Sequence, residues 1–513
     1  MKKTLFIKNA AIMTANTLLL RLAGVVFRVW TAAKIGSEGM GLYQLTLSVY
    51  MLCSTFASIG IATTVTRMVS DSEALGNTGE SRSAVKRSGF LCLLVCGVII
   101  PFLFFKGDFI AAVLLKDSRC AQSVKLCGFA LPFVSFCACF KGYFLAKRRT
   151  FVPCLSQQIE QAVRIFTVIT LLNKAGDNIG AKIAAVTVGD IFAEASACAF
   201  LLIFWFKDRK NCKKGHASFK KILHIALPIS GGKYINSLLR TFENVLIPAK
   251  LTLYYSAKSK ALSYIGVIKG MALPILLFPY SVLSAVATLL LPEMSAAAAV
   301  GSNKKIAYTA ERAVKLTLLF GFGCWAVFYF AGDILGTVLY PGTNAGKFLK
   351  ILSPLVPLMY LDSISDALLK GLDKQRFTFR VTVSDSVARI ILIYLFAASG
   401  GMKAFLIIMY ASNIYTCGIN AIKMINCTGA KLSFSKTVLL PLSAAVIFGS
   451  AAQKIVLILS VDGILSLAVF CIICLGFYFA FLAVTGIYTD QNAKAVFTSA
   501  KKNKAVLKNR VDF

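Results

Sequence analysis

The 513 residues are 57% hydrophobic and only 15% charged, with a mean hydropathy of +0.74, which excludes an ordinary soluble domain. A net charge of +34 would point to nucleic acid in a soluble chain, but here the Lys and Arg residues gather between apolar stretches, so the excess describes membrane topology. The only two histidines, His216 and His224, lie in or beside one basic segment, which excludes a histidine metal centre or histidine proton relay inside the membrane.

At about 20 apolar residues per crossing, roughly fourteen crossings fit. They are predicted at residues 6–30, 40–63, 89–105, 122–145, 151–173, 182–206, 222–249, 266–291, 312–331, 348–371, 380–399, 402–422, 437–457 and 464–487. The fold class is therefore an all-α polytopic membrane protein. Lys2-Lys3 before the first stretch imitates a signal sequence, but Arg21 and Arg28 interrupt the apolar run and no small-residue cleavage site precedes them. An uncleaved first helix is expected. Thr14, Thr17, Arg21 and Arg28 fall on one stripe of that helix, and no acid lies on it. The fifth stretch holds Glu160 and Arg164 at i, i+4, and the sixth stacks Asp190 and Glu194 at the same spacing. The segment Lys207–Lys221 follows; its many lysines read as a topology signal and an attraction to anionic lipid.

In the seventh stretch Lys233, Ser237, Arg240 and Asn244 form a second polar stripe with Glu243 beside it, and the eighth carries Lys269. Asp362 and Asp366 stand in the tenth, Asp385 and Arg389 in the eleventh. The last two stretches are largely uncharged. Most of the fifteen cysteines lie within apolar stretches, where they act as small packing residues. Pro228, Pro248, Pro274, Pro279, Pro354 and Pro357 mark places where helices bend.

The chain repeats itself about 220 residues further on. Leu19-Leu20-Arg21 recurs as Leu238-Leu239-Arg240, Glu160-Gln-Ala-Val-Arg164 as Asp385-Ser-Val-Ala-Arg389, Lys141-Gly142 as Lys370-Gly371, and Gly41–Ser70 as Gly266–Ser295. Six crossings per copy give both halves one orientation, as in parallel repeats. The expected organisation is a six-helix lobe with its basic cytoplasmic connector over 1–221, a second six-helix lobe over 222–436, two additional helices over 437–487 and a basic cytoplasmic tail over 488–513.

Charges at membrane depth are costly and normally face a cavity or a partner. Glu160 with Arg164 and Asp385 with Arg389 fit structural ion pairs that bridge helices, and together with Asp190, Glu194, Glu243, Asp362 and Asp366 they are also candidates for ion coupling. Arg21, Arg28, Lys233, Arg240 and Lys269 are candidates to bind an anionic substrate. No catalytic residue and no metal or cofactor site is predicted, and the chain is not expected to be an enzyme.

The segments Gly39-Met-Gly41-Leu-Tyr-Gln44, Ser58-Ile-Gly60-Ile-Ala through Arg67, Glu160 to Arg164, Leu239-Arg240-Thr through Glu243-Asn244 to Pro248, and Leu291-Pro292-Glu293-Met-Ser295 resemble the polysaccharide-transport branch of the multidrug/oligosaccharidyl-lipid/polysaccharide flippase superfamily. That branch stands beside the lipid II flippases. The resemblance implies two six-helix lobes around a V-shaped cavity, with two further helices offering a groove for a lipid tail. It also implies cavity arginines on the first helix, matched by Arg21 and Arg28, and basic residues in the second lobe, matched by Lys233, Arg240 and Lys269. The lipid II flippases carry another arginine within their second helix; here none precedes Arg67 at its inner end.

The expected function is a flippase that moves an undecaprenyl-pyrophosphate-linked oligosaccharide, of the lipid II type and for spore cortex synthesis, from inner to outer leaflet by alternating access. The expected partners are the lipid-linked sugar, membrane lipids, a coupling ion or the membrane potential, and cell-wall synthesis proteins, with no nucleic acid. The protein is expected in the plasma membrane with both termini cytoplasmic. Two alternatives stay open: a cation-coupled multidrug exporter using Asp190, Glu194, Asp362 and Asp366 as its acid site, and a non-transporting cell-wall assembly factor.

Overall fold

The computed structural model describes residues 2–58, 60–76, 78–209, 218–459 and 463–485, which are helical almost throughout. Most of the basic connector and the whole C-terminal tail predicted at 488–513 lie outside the described residues. The described residues contain no strand, and apolar side chains cover much of the exterior, including Phe102, Phe105 and Phe109. This is an all-α polytopic membrane protein.

Packing divides the chain into two compact units, which differ in extent from the lobes drawn by sequence repeat. The first holds residues 1–270 and 386–405. Its helices are α1 (Lys2–Ser58), α2 (Ile61–Ala74), α3 (Thr78–Phe109), α4 (Ala121–Ala146), α5 (Phe151–Leu172), α6 (Ile179–Arg209), α7 (Phe219–Tyr255) and α8 (Lys258–Ile265). The second holds 271–385 and 406–513, with α9 (Leu273–Leu277), α10 (Tyr280–Ala299), α11 (Asn303–Phe330), α12 (Gly332–Leu339), α13 (Ala345–Leu352), α14 (Leu355–Gly371), α16 (Leu440–Leu459) and α17 (Gly463–Val484); α15 (Gln375–Thr428) contributes to both.

Helix α1 is 57 residues long, far more than the roughly 20 that one crossing needs. Gly36, with φ 72° and ψ 177°, breaks it into two arms, a conformation that costs glycine little and other residues much. Gly401 does the same for the 54 residues of α15, at φ 57° and ψ −138°. By length and composition, nine helical segments among the described residues are apolar enough to cross a membrane, ten when α13 and α14, bent by 57°, count as one. That count takes each broken helix as one segment and omits α5 and α7, which are long but rich in polar side chains. Each of the fourteen predicted stretches coincides with helix apart from end residues and breaks at 60, 278–279 and 353–354.

The repeat is visible in the packing inside each unit. Gly142 of α4 rests against α2, where a Cβ would come within 2.6 Å of the Ala62 carbonyl oxygen, and the Thr66 hydroxyl donates to the Gly142 carbonyl at 3.1 Å. Gly371 of α14 rests against α10, a Cβ there falling 3.0 Å from the Leu291 carbonyl oxygen, and the Ser295 hydroxyl donates to the Gly371 carbonyl at 2.9 Å. The two additional helices bury one face each. Ala444, Ala445 and Ala452 of α16 and Phe470, Cys474 and Tyr478 of α17 join the core of the second unit, and the Tyr478 hydroxyl donates to the Leu319 carbonyl at 2.8 Å. Their other faces expose Ile447, Ile458, Leu465 and Ile472, as suits helices against lipid.

Candidate functional site

Three groups of charged residues in the first unit bear on the predicted site. The first is centred on Arg164. Its guanidinium donates to Asp190 on α6 at 2.8 Å, to Glu160 at 2.9 Å and to Gln161 at 3.0 Å. Lys141 of α4 reaches Glu160 at 3.4 Å, and the Tyr43 hydroxyl of α1 donates to Asp190 at 3.5 Å. The i, i+4 spacing of Glu160 and Arg164 therefore does make the predicted ion pair, and three further helices join it. Sequence spacing did not join Lys141 or Tyr43 to this cluster; Lys141 stood out only in the repeat and Tyr43 only within the segment Gly39–Gln44. Beside Asp190 a small cavity of about 10 Å³ is lined by Tyr43, Thr46, Tyr50, Cys127 and Thr187, room for one water at most. Nearby, Asn16 of α1 is buried and joins Gln157 and Gln158 of α5 through two hydrogen bonds of 2.8 Å.

A second group surrounds Glu243, which is 8% exposed. Arg389 reaches one of its oxygens at 3.0 Å and Lys269 the other at 4.0 Å, and Lys269 also donates to the Asn244 amide oxygen at 2.5 Å. Lys269 lies within a π-helical turn, Gly266–Ala272, an interruption of regular helix of a kind frequent at functional sites. The spacing in sequence paired Arg389 with Asp385. The structure adds Glu243, from a helix nearly 150 residues away, and Asp385 accepts from the Ser412 hydroxyl at 2.6 Å.

The third group is defined by having no such partners. Arg21 and Arg28 on α1 and Lys233 and Arg240 on α7 make no hydrogen bond or ion pair with another described residue. Arg21 and Arg28 are half-buried, Lys233 and Arg240 exposed. Of the five cations predicted to meet an anion, four are thus uncommitted and Lys269 is engaged. The arm of α1 beyond Gly36 packs directly on α7: the Thr241 hydroxyl donates to the Ser48 carbonyl at 3.2 Å, and Phe56 stacks on Tyr234 with centroids 4.7 Å apart.

In the connection between α3 and α4 the Asp117 carboxylate is buried, and Arg119 and Lys258 approach it at 2.9 Å and 3.2 Å. Burial alone would raise this carboxyl, but hydrogen bonds from Arg119 and Lys258 outweigh it and hold it below the usual aspartate range. In the second unit Asp362 accepts from the Asn420 amide at 2.8 Å, and Asp366 pairs with Lys370 at 2.5 Å.

Long helices carrying charged side chains at membrane depth, built twice from one pattern, define a polytopic membrane protein of repeated helical bundles. The solved structure of lipid II flippase MurJ in an inward closed conformation superposes with a TM-score of 0.70 over 93% of this chain and 99% of that one, at 13% identity. An inward-facing MATE family multidrug resistance transporter of the MOP superfamily follows with a TM-score of 0.69, over 82% of this chain and 98% of its own, at 11% identity. At those identities the likeness is one of fold. Residues 6–298 match the polysaccharide biosynthesis protein family, and the chain belongs to it. Among its relatives, stage V sporulation protein B of Bacillus subtilis (strain 168) is 25% identical over 73% of this chain and 74% of its own length. Lipid II flippase MurJ of the same organism is 23% identical over 88% of each.

Proposed function

We propose that this protein is a flippase for an undecaprenyl-pyrophosphate-linked oligosaccharide, of the lipid II type, moved from inner to outer leaflet by alternating access. The observation that carries the reading is the set of uncommitted cations, Arg21 and Arg28 on α1, which is apolar enough to cross a membrane, and Lys233 and Arg240 on α7, which packs against it. Cations at that depth are expensive unless an anion or water meets them. A pyrophosphate cannot enter hydrocarbon without losing its hydration, and fixed guanidinium and ammonium groups replace the lost hydrogen bonds, Arg in bidentate fashion. The polyprenyl tail needs no such help and stays in lipid, for which the apolar outer faces of α16 and α17 are suited.

Both relatives favour this reading by name, one as a lipid II flippase and the other as a sporulation protein, and the second suggests spore cortex synthesis as the setting. Transport needs no chemical step, so the protein acts without catalysis, in the plasma membrane with both termini cytoplasmic, driven by a coupling ion or the membrane potential. A cationic drug would need an uncommitted acid. Asp190, Asp362 and Asp366 are already bonded to Arg164, Asn420 and Lys370, which leaves Glu194 as the one acid of that set without such a partner among the described residues and narrows the exporter reading to it. The test is the accessibility of lipid II at the outer leaflet of proteoliposomes containing the purified protein. Exposure above that of protein-free vesicles supports the proposal, and none contradicts it.

A further inference from the structure

The first arm of α1, which carries Arg21 and Arg28, is loosely packed for most of its length. Among residues 12–30 only Asn16 is buried; the others are half-buried or exposed, with Leu19, Leu22 and Val26 more than half exposed. A Cβ added at Gly24 would meet no neighbouring helix within 4 Å among the described residues. Apolar contact is non-directional, so it leaves the rotation of this arm about its own axis weakly fixed. The one buried residue is polar, and α5 engages both ends of its amide. The Asn16 amide nitrogen donates to the Gln157 side-chain oxygen and the Gln158 amide donates to the Asn16 oxygen, each at 2.8 Å. A hydrogen bond between helices in a membrane contributes on average about the thermal energy RT, so as an adhesive the trio adds little. Its geometry constrains more. Two bonds to adjacent residues of α5 are satisfied together at one rotation and one height of α1, much as a single buried asparagine fixes the register of a coiled coil.

We propose that Asn16 is a positioning residue for the anion site: with Gln157 and Gln158 it sets the register of α1 and so the placement of Arg21 and Arg28. Those arginines follow Asn16 by five and twelve residues, which at about 100° per residue puts them roughly 140° and 120° around the helix from it. They therefore share one side of α1, and it is not the side that Asn16 presents to α5. A rotation by one residue would swing both by about 100°, and a slip by one residue would carry both about 1.5 Å along the axis. Neither arginine has a hydrogen bond or ion pair with another described residue to hold it, so its aim depends on the helix that carries it. A guanidinium meets phosphate as a planar fork, and a site of that kind loses its function when its supporting contacts let it drift.

This inference rests on the lipid-pyrophosphate reading, and the experiment separates the two. Binding of farnesyl pyrophosphate to the purified full-length protein in detergent is measured for wild type and for Asn16→Leu combined with Gln157→Met and Gln158→Met, which keeps the outline of each side chain and removes all three amides. Replacing both sides of a polar contact with apolar groups of similar shape is nearly neutral for stability, so the melting midpoint should stay near that of wild type. Binding should weaken by about tenfold or more, the equivalent of at least one charge-assisted hydrogen bond to phosphate. The exchange Asn16→Gln with Gln157→Asn restores an amide pair of the same combined length and should recover part of the affinity. Phenylglyoxal modification of Arg21 and Arg28, located by mass spectrometry, reports the register without any ligand; its rates should change in the amide-free variant and return towards wild type in the exchange. If the amide-free variant does not fold, Gln157→Met alone, which leaves Asn16 one bond, should show both effects to a smaller degree. Unchanged binding overturns the inference, and so does weakened binding with unchanged arginine reactivity; in either case a wild type that binds the pyrophosphate leaves the proposed function standing. A wild type that neither binds farnesyl pyrophosphate nor flips lipid II would remove the lipid-pyrophosphate reading, and the inference with it.

Discussion

Replacing Arg164 with alanine should cost this protein more stability than any change to the acids around it. The guanidinium bridges α5 and α6 through contacts of 2.8 Å to Asp190 and 2.9 Å to Glu160, with a third to Gln161. At an effective dielectric constant near 20, each of the two ionic contacts has a gross attraction of about 6 kcal/mol. Most of that offsets the desolvation of bringing three charges inside, and removal of one partner from such a group leaves a net loss of about 3–5 kcal/mol. Arg164→Ala leaves Asp190 with the Tyr43 hydroxyl and Glu160 with Lys141, and it opens a gap where the arginine stem packed. Glu160→Gln is milder: Arg164 keeps Asp190 and Gln161, the new amide oxygen still accepts, and the loss should be about 1.5 kcal/mol. The assay is thermal unfolding of the detergent-solubilised variants, followed as the monodisperse fraction remaining after heating. Arg164→Ala should melt well below Glu160→Gln, and wild type above both. Equal midpoints for the two variants would refute the argument that Arg164 holds this cluster together.

Arg21→Ala should abolish lipid II flipping while protein still reaches the membrane at wild-type amounts, and Arg21→Lys should retain part of it because charge survives without bidentate geometry; an active, well-expressed alanine variant would remove the anion site. Under the same reading Asp362→Asn should flip at near wild-type rates, since its bond to Asn420 is one that an amide can replace. Gly266→Ala should sharply reduce folded protein, because its Cβ would lie 1.9 Å from the Ser37 carbonyl oxygen, and backbone rather than a yielding side chain must move; a wild-type melting midpoint would contradict the close approach. For Asp117, the depressed carboxyl contributes stability that is fully present above the ordinary aspartate value of about 3.9 and disappears as pH falls through the lower folded value. The melting difference between wild type and Asp117→Asn should therefore be constant from about pH 5 to pH 8 and narrow below about pH 4, whereas a difference that grows on acidification would reverse the assignment.

Class, helical content and repeat were legible in the sequence because each rests on a short-range or compositional property. Hydrophobic runs longer than a membrane crossing have few other destinations, and the spacing of Glu160 and Arg164 places them on one helical face whatever surrounds them. The glycines of the repeat were legible as echoes, and packing supplied their reason: Gly142 and Gly371 each let one helix approach another's backbone. Partner choice was decided only by the tertiary structure. Nothing in the spacing of Lys269, Glu243 and Arg389 joins them, because they come from three separate helices and meet only when α7, the π-helical turn after α8 and α15 pack together. The same packing divided the cations into those with an acid partner and those without, Lys269 and Arg164 on one side and Arg21, Arg28, Lys233 and Arg240 on the other. A sequence states which charges a chain carries; the distance between two of them, on which their attraction and desolvation both depend, is fixed by the fold.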